Sequence, residues 1–235
     1  MKKMKNIVVI GCGSGIGLAT LKALHNTNHV IGISKTYTTE FDSLDIQFYK
    51  KNIITDQLDD IVFPEIIDGI IYAPGSINLK PFHRFIEEDF RADFEINVLG
   101  AVKIIQQLLP RLKKSNSASI VLFSSVAAKI GMPFHASIAT SKSAIEGLVR
   151  SLAAEFAQHN IRINAIAPSL TTTKLSASLL STPEKIEAAA KRHPLQNIGD
   201  PNDIAKMIVF LLSDFSSWIT GQIISIDGGM SNIKL

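Results

Sequence analysis

Four polar residues stand in apolar company along this chain, and each is of a type that does chemistry. Ser125 closes an apolar run at 118–124, where a hydroxyl can hydrogen-bond a carbonyl oxygen. Lys142 lies early in HASIATSKSAIEGLVRSLAAEF, residues 135–156, a mostly apolar helical pattern. A cation on a half-buried face usually has a partner or a task. Asn97 interrupts FRADFEINVLGAVKIIQQLL, although asparagine is a mediocre helix former that competes for backbone bonds. His135 opens the Lys142 segment, and an imidazole changes charge near neutral pH. Each has a plain alternative: a strand-ending serine, a tolerated interior asparagine, a lysine reaching solvent, a histidine pointing along its loop. Their conjunction with a glycine loop is what points to a site.

That loop is GCGSGIG, residues 11–17, which follows an apolar strand and runs into LATLKAL. It is neither a P-loop, since no Lys-Ser/Thr follows, nor a strict G-x-G-x-x-G. Four glycines in seven residues still permit a tight turn and a close backbone approach to a pyrophosphate. The helix beyond offers free N–H groups and the positive end of its dipole. Gly11, Gly13, Ser14, Gly15, Ile16 and Gly17 are therefore candidate dinucleotide contacts. An acid about 20 residues past the loop would bind the ribose hydroxyls and favour NAD. Here GISKTY places Ser34 and Lys35 at the end of the second strand, with no acid until Glu40. A hydroxyl and a cation suit a 2′-phosphate, so NADP(H) is the preferred cofactor and NAD(H) the alternative.

The elements that must position these groups alternate from end to end. Strands are expected at 6–10, 29–33, 46–50, 67–73, 118–124, 161–166 and 222–226. Helical patterns fall at 15–25, 56–62, 87–114, 137–159, 175–191 and 201–213. Most strands are continuously apolar, as strands covered on both faces are. The pattern predicts α/β architecture, a parallel sheet with helices on both faces, in one domain over 1–235. Thr182-Pro183 and Asp200-Pro201 are helix starts, each a cap before an early proline.

Bulk properties exclude several classes. The 235 residues, 46% hydrophobic, suffice for one sizeable core. Lys+Arg 24 against Asp+Glu 21 gives only +3, scattered apart from Lys2, Lys3 and Lys5, so no nucleic-acid partner is expected. Cys12 is the single cysteine, which excludes a disulfide framework and a multi-cysteine zinc site and suits a reducing cytoplasm. No metal is expected. The start MKKMKNIVVI superficially looks like an export signal, but its apolar run, Ile7 to Ile10, is too short. No stretch approaches the ~18 apolar residues of a membrane span, so no membrane partner is expected.

Together the glycine loop, Asn97, Ser125 and Lys142 resemble the short-chain dehydrogenase/reductase family, particularly its 3-oxoacyl-carrier-protein-reductase-like branch. The resemblance covers essentially the whole chain. GCGSGIG is similar to the family's cofactor loop, FEINVLGA to its asparagine segment and IVLFSSVAAKIGMP to its serine segment. IRINAIAPSLTTTKL resembles the nicotinamide-contacting loop after the sixth strand. HPLQNIGDPNDIAKMIVFLLSDFSSWITGQIISIDGG resembles the C-terminal signature. The resemblance implies a Rossmann-like, doubly wound, seven-stranded parallel sheet and reduction of a small-molecule carbonyl by hydride transfer. It implies catalytic roles for Asn97, Ser125 and Lys142, with Lys142 also on the nicotinamide ribose. It adds cofactor contacts at Asn52, Ile53, Ala73, Pro74, Gly75, Pro168, Ser169, Thr171 and Thr173. It further implies a homotetramer or homodimer formed through the helices at 87–114 and 137–159.

One departure is chemical. The family's Tyr-x-x-x-Lys is here Ile138-Ala139-Thr140-Ser141-Lys142. Isoleucine neither gives nor takes a proton. Loss of a positioned general acid typically removes roughly 10²–10⁴ in rate, or about 3–5 kcal/mol of transition-state stabilisation. Either another donor serves (His135 first, then Ser137, Lys142 or a water it holds), or the chemistry needs no such acid, or the chain binds a dinucleotide or ligand without turnover as a regulatory partner. Tyr72, ending the fourth strand, is the tyrosine placed to face the crevice. Ser169 stands where glycine is usual, and Asn197 and Asn52 where arginine and aspartate are. Loops 126–136 and 169–197 are expected to wall the substrate side with Met132, Phe134, Leu170, Leu175, Leu179 and Leu180. Lys129, Arg192 and His193 rim it, which fits an acyl chain carrying an acidic group.

Overall fold

Seven short apolar runs pair side by side in the computed structural model of the chain, which describes residues 4–234. Lys2 and Lys3 of the basic cluster lie outside it. The strands are β1 Asn6–Ile10, β2 His29–Ser34, β3 Gln47–Lys50, β4 Gly69–Tyr72, β5 Ala118–Phe123, β6 Ile161–Pro168 and β7 Ile223–Ile226. Their order is β3-β2-β1-β4-β5-β6-β7, and every neighbouring pair is parallel. The sheet is the expected doubly wound arrangement, with the order reversing between β1 and β4.

Alternate residues of each strand feed two cores. On one face Val8, Ile10, Ile70, Ile120 and Leu122 pack with Ile104, Leu108, Ile145 and Val149. These belong to α3 Gly100–Leu112 and α4 Ala136–Phe156. On the other, Ile7, Val9, Ile71 and Val121 pack with Leu18, Leu21, Ile204 and Ile208. These belong to α1 Gly15–Leu24 and α6 Pro201–Leu212. Each fully buried aliphatic side chain contributes roughly 1.5–3 kcal/mol, so continuous apolar strands are what a two-faced sheet requires. Helix starts agree: Thr182 caps α5 Pro183–Ala190 by accepting from Lys185 N, and Asp200 caps α6 by accepting from Asn202 N.

Two expectations are corrected. Residues 56–62 form turns, not a helix. Leu58 and Ile61 are buried at helical spacing, but Asp56 Oδ2 accepts from Asn52 N at 2.8 Å and closes a local turn in its place. The pattern at 175–191 divides into a short 3-10 turn, Ala177–Leu180, and α5.

The pattern at 87–114 is continuous but changes pitch. α2 Glu87–Phe94 passes into a π turn, Glu95–Leu99, before α3. Such π turns are rare and often lie at functional sites; this one carries Asn97. Gly100 N–H reaches back to Glu95 O, and the Tyr72 hydroxyl donates to Ile96 O at 2.7 Å. Tyr72 is thus a core residue, 2% exposed, and does not face the crevice. Burial drives its phenol well above the ordinary value, with the Glu95 charge adding to it.

A Cβ on Gly100 would lie 2.0 Å from the Tyr72 hydroxyl. Gly100→Ala is therefore expected to destabilise the chain by about 1–3 kcal/mol, read as a lower urea midpoint. Adding Tyr72→Phe is expected to recover part of that loss, and no recovery would show that the contact is not the cause.

Candidate active site

A cavity of about 860 Å³ opens along the C-terminal ends of the strands, across the β1/β4 reversal. This is where ligands bind in open parallel sheets. The glycine loop forms its floor. Gly17 carries no side chain because a Cβ there would meet Gly11 O at 2.3 Å, and one on Gly13 would meet Ser34 Oγ at 2.5 Å. Ser14 makes no side-chain cap, and the first turn of α1 holds no acid. The first N–H groups of α1 are thus left to face the cavity. An uncapped helix end over a backbone cradle fits a dinucleotide pyrophosphate.

At the end of β2, Ser34 Oγ accepts from Thr36 N at 3.3 Å, while Lys35 is exposed with no partner among the described residues. Asn52 Oδ1 accepts from Ile54 N at 3.1 Å, which leaves its amide free. Ala73, Pro74 and Gly75 continue from β4, and Pro168, Ser169, Thr171 and Thr173 from β6. All the loop and strand-end residues singled out as cofactor contacts line this cavity. Its charged lining is Lys35, Lys51, Lys142, Lys174 and Arg192, without an aspartate or glutamate. Lys51 is paired with Asp60. Among the described residues no group of three His, Cys, Asp or Glu gathers to hold a metal.

The polar residues singled out around the far wall come from three elements: a 3-10 turn, α4 and the π turn. Ser125 caps a 3-10 turn, Val126–Ala128, its Oγ accepting from Ala127 N at 3.2 Å, so its proton is free to donate. Lys142 is buried, and its Nζ donates to Phe123 O at 2.9 Å. Burial pulls the ammonium from 10.5 down to about 8, opposed by the charge of Asp93. Asn97 lies behind Gly75 rather than in the lining, with its Oδ1 buried and unpartnered among the described residues. His135 heads α4 and lines the cavity, with Nδ1 on Pro133 O at 2.7 Å. Ile138, 6% exposed, stands in the wall between His135 and Lys142.

Other expectations change. Ser137 is fully buried and donates to Asp93 Oδ2 at 2.6 Å, so it does not face the cavity. Met132, Leu170, Leu175, Leu179, Arg192 and His193 line it, but Phe134, Leu180 and Lys129 do not. Phe134 is exposed with φ 69, and Lys129 turns to Asn232. The His193 ring is held at both nitrogens, on Ala189 O and on Ser169 Oγ, each at 2.9 Å. Sequence reasoning missed Thr36, Ser76 and Lys174 in the lining. Thr36 and Lys174 carry a local signal, one residue beyond Lys35 and Thr173.

Comparison with known proteins decides the lineage. A family profile described as enoyl-(acyl carrier protein) reductase matches residues 54–231. The 3-oxoacyl-[acyl-carrier-protein] reductase of Thermotoga maritima is 33% identical over 96% of this chain and 97% of its own. This chain belongs to the short-chain dehydrogenase/reductase family. Among solved structures of this family of oxidoreductases, a 4-hydroxyisoleucine dehydrogenase complexed with NADH is similar at 26% identity and TM-score 0.88, covering 98% of this chain and 100% of that one. ElxO with NADP bound is similar at 27% identity and TM-score 0.85, covering 97% and 99%. No helix among the described residues is long and apolar enough to cross a membrane.

The lysine's titration makes a stability prediction. Its folded value, about 8, lies below the ordinary 10.5, so the unfolded chain binds the proton more tightly. The burial penalty is full below about pH 8 and relaxes as pH rises toward 10.5. At about 1.4 kcal/mol per unit it is of order 3 kcal/mol. In urea unfolding, the stability of Lys142→Met relative to the unsubstituted chain is expected to be greatest near neutral pH and to fall through that window. A pH-independent difference would refute it.

Proposed function

We propose that this short-chain dehydrogenase/reductase, acting as one domain, is an NADP(H)-dependent reductase of a ketoacyl-like or other small apolar ketone. Its proton donor is a group other than tyrosine. The supporting observation is a cavity with an open helix N-terminus and five cations but no carboxylate in its lining. Such a surface favours an anionic ligand. When bound, the dinucleotide supplies the hydride. Backbone N–H groups of Gly13 to Gly17 would hold its pyrophosphate, and Ser34, Lys35 and Thr36 its 2′-phosphate. Asn52 and Ile53 would meet the adenine, Lys142 the ribose, and Pro168, Ser169, Thr171 and Thr173 the nicotinamide end. The 4-hydroxyisoleucine dehydrogenase holds NADH and ElxO holds NADP, so the choice of NADP rests on Lys35 and the absence of a nearby acid.

Ser125 has a proton to donate to a carbonyl oxygen. Lys142, held near pH 8, is suited to give a proton to the developing alkoxide at neutral pH. His135 Nδ1 donates to Pro133 O, so its Nε2 would give a proton only from the imidazolium. Met132, Leu170, Leu175 and Leu179 would wall an apolar substrate, with Arg192 at the rim. Assembly as a homotetramer or homodimer through the α2–α3 run and α4 belongs to the same reading.

A second reading has its own observation. Ile138 puts a buried alkyl group where the family has its acid, which suits a protein that binds a dinucleotide or ligand without turning over.

Fluorescence titration tests the cofactor. Lys35→Glu is expected to weaken NADPH by about tenfold or more, about 1.4 kcal/mol, and to leave NADH nearly unchanged. Equal losses would remove the 2′-phosphate assignment, and binding of neither nucleotide by the folded, unsubstituted chain would sink the proposal. Ile138→Tyr is expected to raise turnover of β-ketoacyl thioesters by up to about 10²-fold. No gain with NADPH still bound would favour the second reading.

A further inference from the structure

Asp93 is a buried carboxylate on α2, 2% exposed, and nothing above assigns it a task. Its Oδ1 accepts the Ser76 hydroxyl at 2.5 Å and its Oδ2 the Ser137 hydroxyl at 2.6 Å. Its backbone carbonyl accepts the Asn97 amide at 2.8 Å, and that amide also donates to Ser76 at 3.0 Å. The carboxylate thus ties the loop after β4 to the first turn of α4, and the backbone carbonyl of the same residue holds the π turn. A charge kept from water needs compensation.

The cation available is Lys142. The two do not touch, since Lys142 Nζ donates to Phe123 O. Asn97 and Gly75 lie between them. An atom at the Cβ position that Gly75 lacks would be 3.2 Å from Asn97 Oδ1 and 3.7 Å from Lys142 Nζ. Carboxylate, hydroxyl and amide are hydrogen-bonded in sequence from α2, and the amide oxygen and the ammonium both border Gly75 without a hydrogen bond between them.

Other charges around Lys142 are engaged or of its own sign. Asp89 on α2 is paired with Lys80. Glu146, one turn further along α4, takes the Ser124 hydroxyl at 2.8 Å and faces Arg150. Glu95 of the π turn is exposed, and His135 is tied to Pro133. Lys35, Lys51, Lys174 and Arg192 are the other charged residues of the cavity lining. Asp93 opposes loss of a proton from Lys142.

We propose that Asp93 is a positioning residue of this site: linked through Ser76 and Asn97, its buried charge keeps Lys142 an ammonium. The functional consequence rests on the reductase reading, which needs that charge on the nucleotide or as the proton source. The test does not, because it uses the chain without nucleotide.

Urea unfolding is followed across pH for the unsubstituted chain, Asp93→Asn, Lys142→Met and the pair. In Asp93→Asn, the rise of stability with pH is expected to begin about one unit or more below its usual onset near pH 8. Asp93→Asn is also expected to lower the urea midpoint less in the Lys142→Met background than alone. Equal losses in both backgrounds with an unmoved onset would mean that Asp93 acts only through its hydroxyl partners, and would overturn the proposal. Should Asp93→Asn alone not fold, the pair is expected to fold, since it leaves no uncompensated cation; an unfolded pair also overturns it. NADPH titration of the unsubstituted chain separately decides the cofactor reading.

Discussion

Parallel pairing is the constraint on which this molecule depends. A parallel strand can follow its neighbour only after the chain has crossed over and returned, so every strand arrives from the same side. All strand C-termini then open on one edge, and the reversal of order between β1 and β4 leaves a crevice there. The glycine loop, Lys35, Gly75, Ser125 and Ser169 are far apart in sequence and share one cavity for this reason. The two cores, one on each face, keep that edge rigid.

Within the crevice the electrostatics are one-sided. Carboxylates are absent from its lining, while lysines and an arginine are present among apolar and hydroxyl side chains. The acids nearby lie outside the lining and are engaged: Asp60 by Lys51, Asp89 by Lys80, Glu146 by Ser124 and Arg150. Ile138 places a buried alkyl group in the cavity wall, on the same helix as Lys142. Lys142 is held by burial and by Phe123 O, and the charge of Asp93, outside the lining, bears on it as well.

Local signals carried much of this. Strands are legible because continuous β-branched runs suit only a sheet covered on both faces. Helix starts are legible because Thr182 and Asp200 bond to N–H groups within three residues of themselves. The segment at 56–62 misleads because Leu58 and Ile61 keep helical spacing while the Asp56 turn competes with the helix. Asp93 was illegible. In FRADFEIN it looks like any helical acid, and its burial is settled by Ser137, 44 residues further along. Tyr72 misleads for a similar reason: the π turn and Gly100 draw its hydroxyl into the core.

By itself the sequence determined the fold class, the family and the glycine cradle, because each is written in neighbouring residues or in fixed spacing along one element. Only the tertiary structure decided which side chains face the cavity, that Asn97 sits on a π turn behind Gly75, and that Lys142 and Asp93 are buried within reach of each other's charge. Burial and electrostatic coupling depend on what other elements bring against a residue, and that is a property of packing rather than of local pattern.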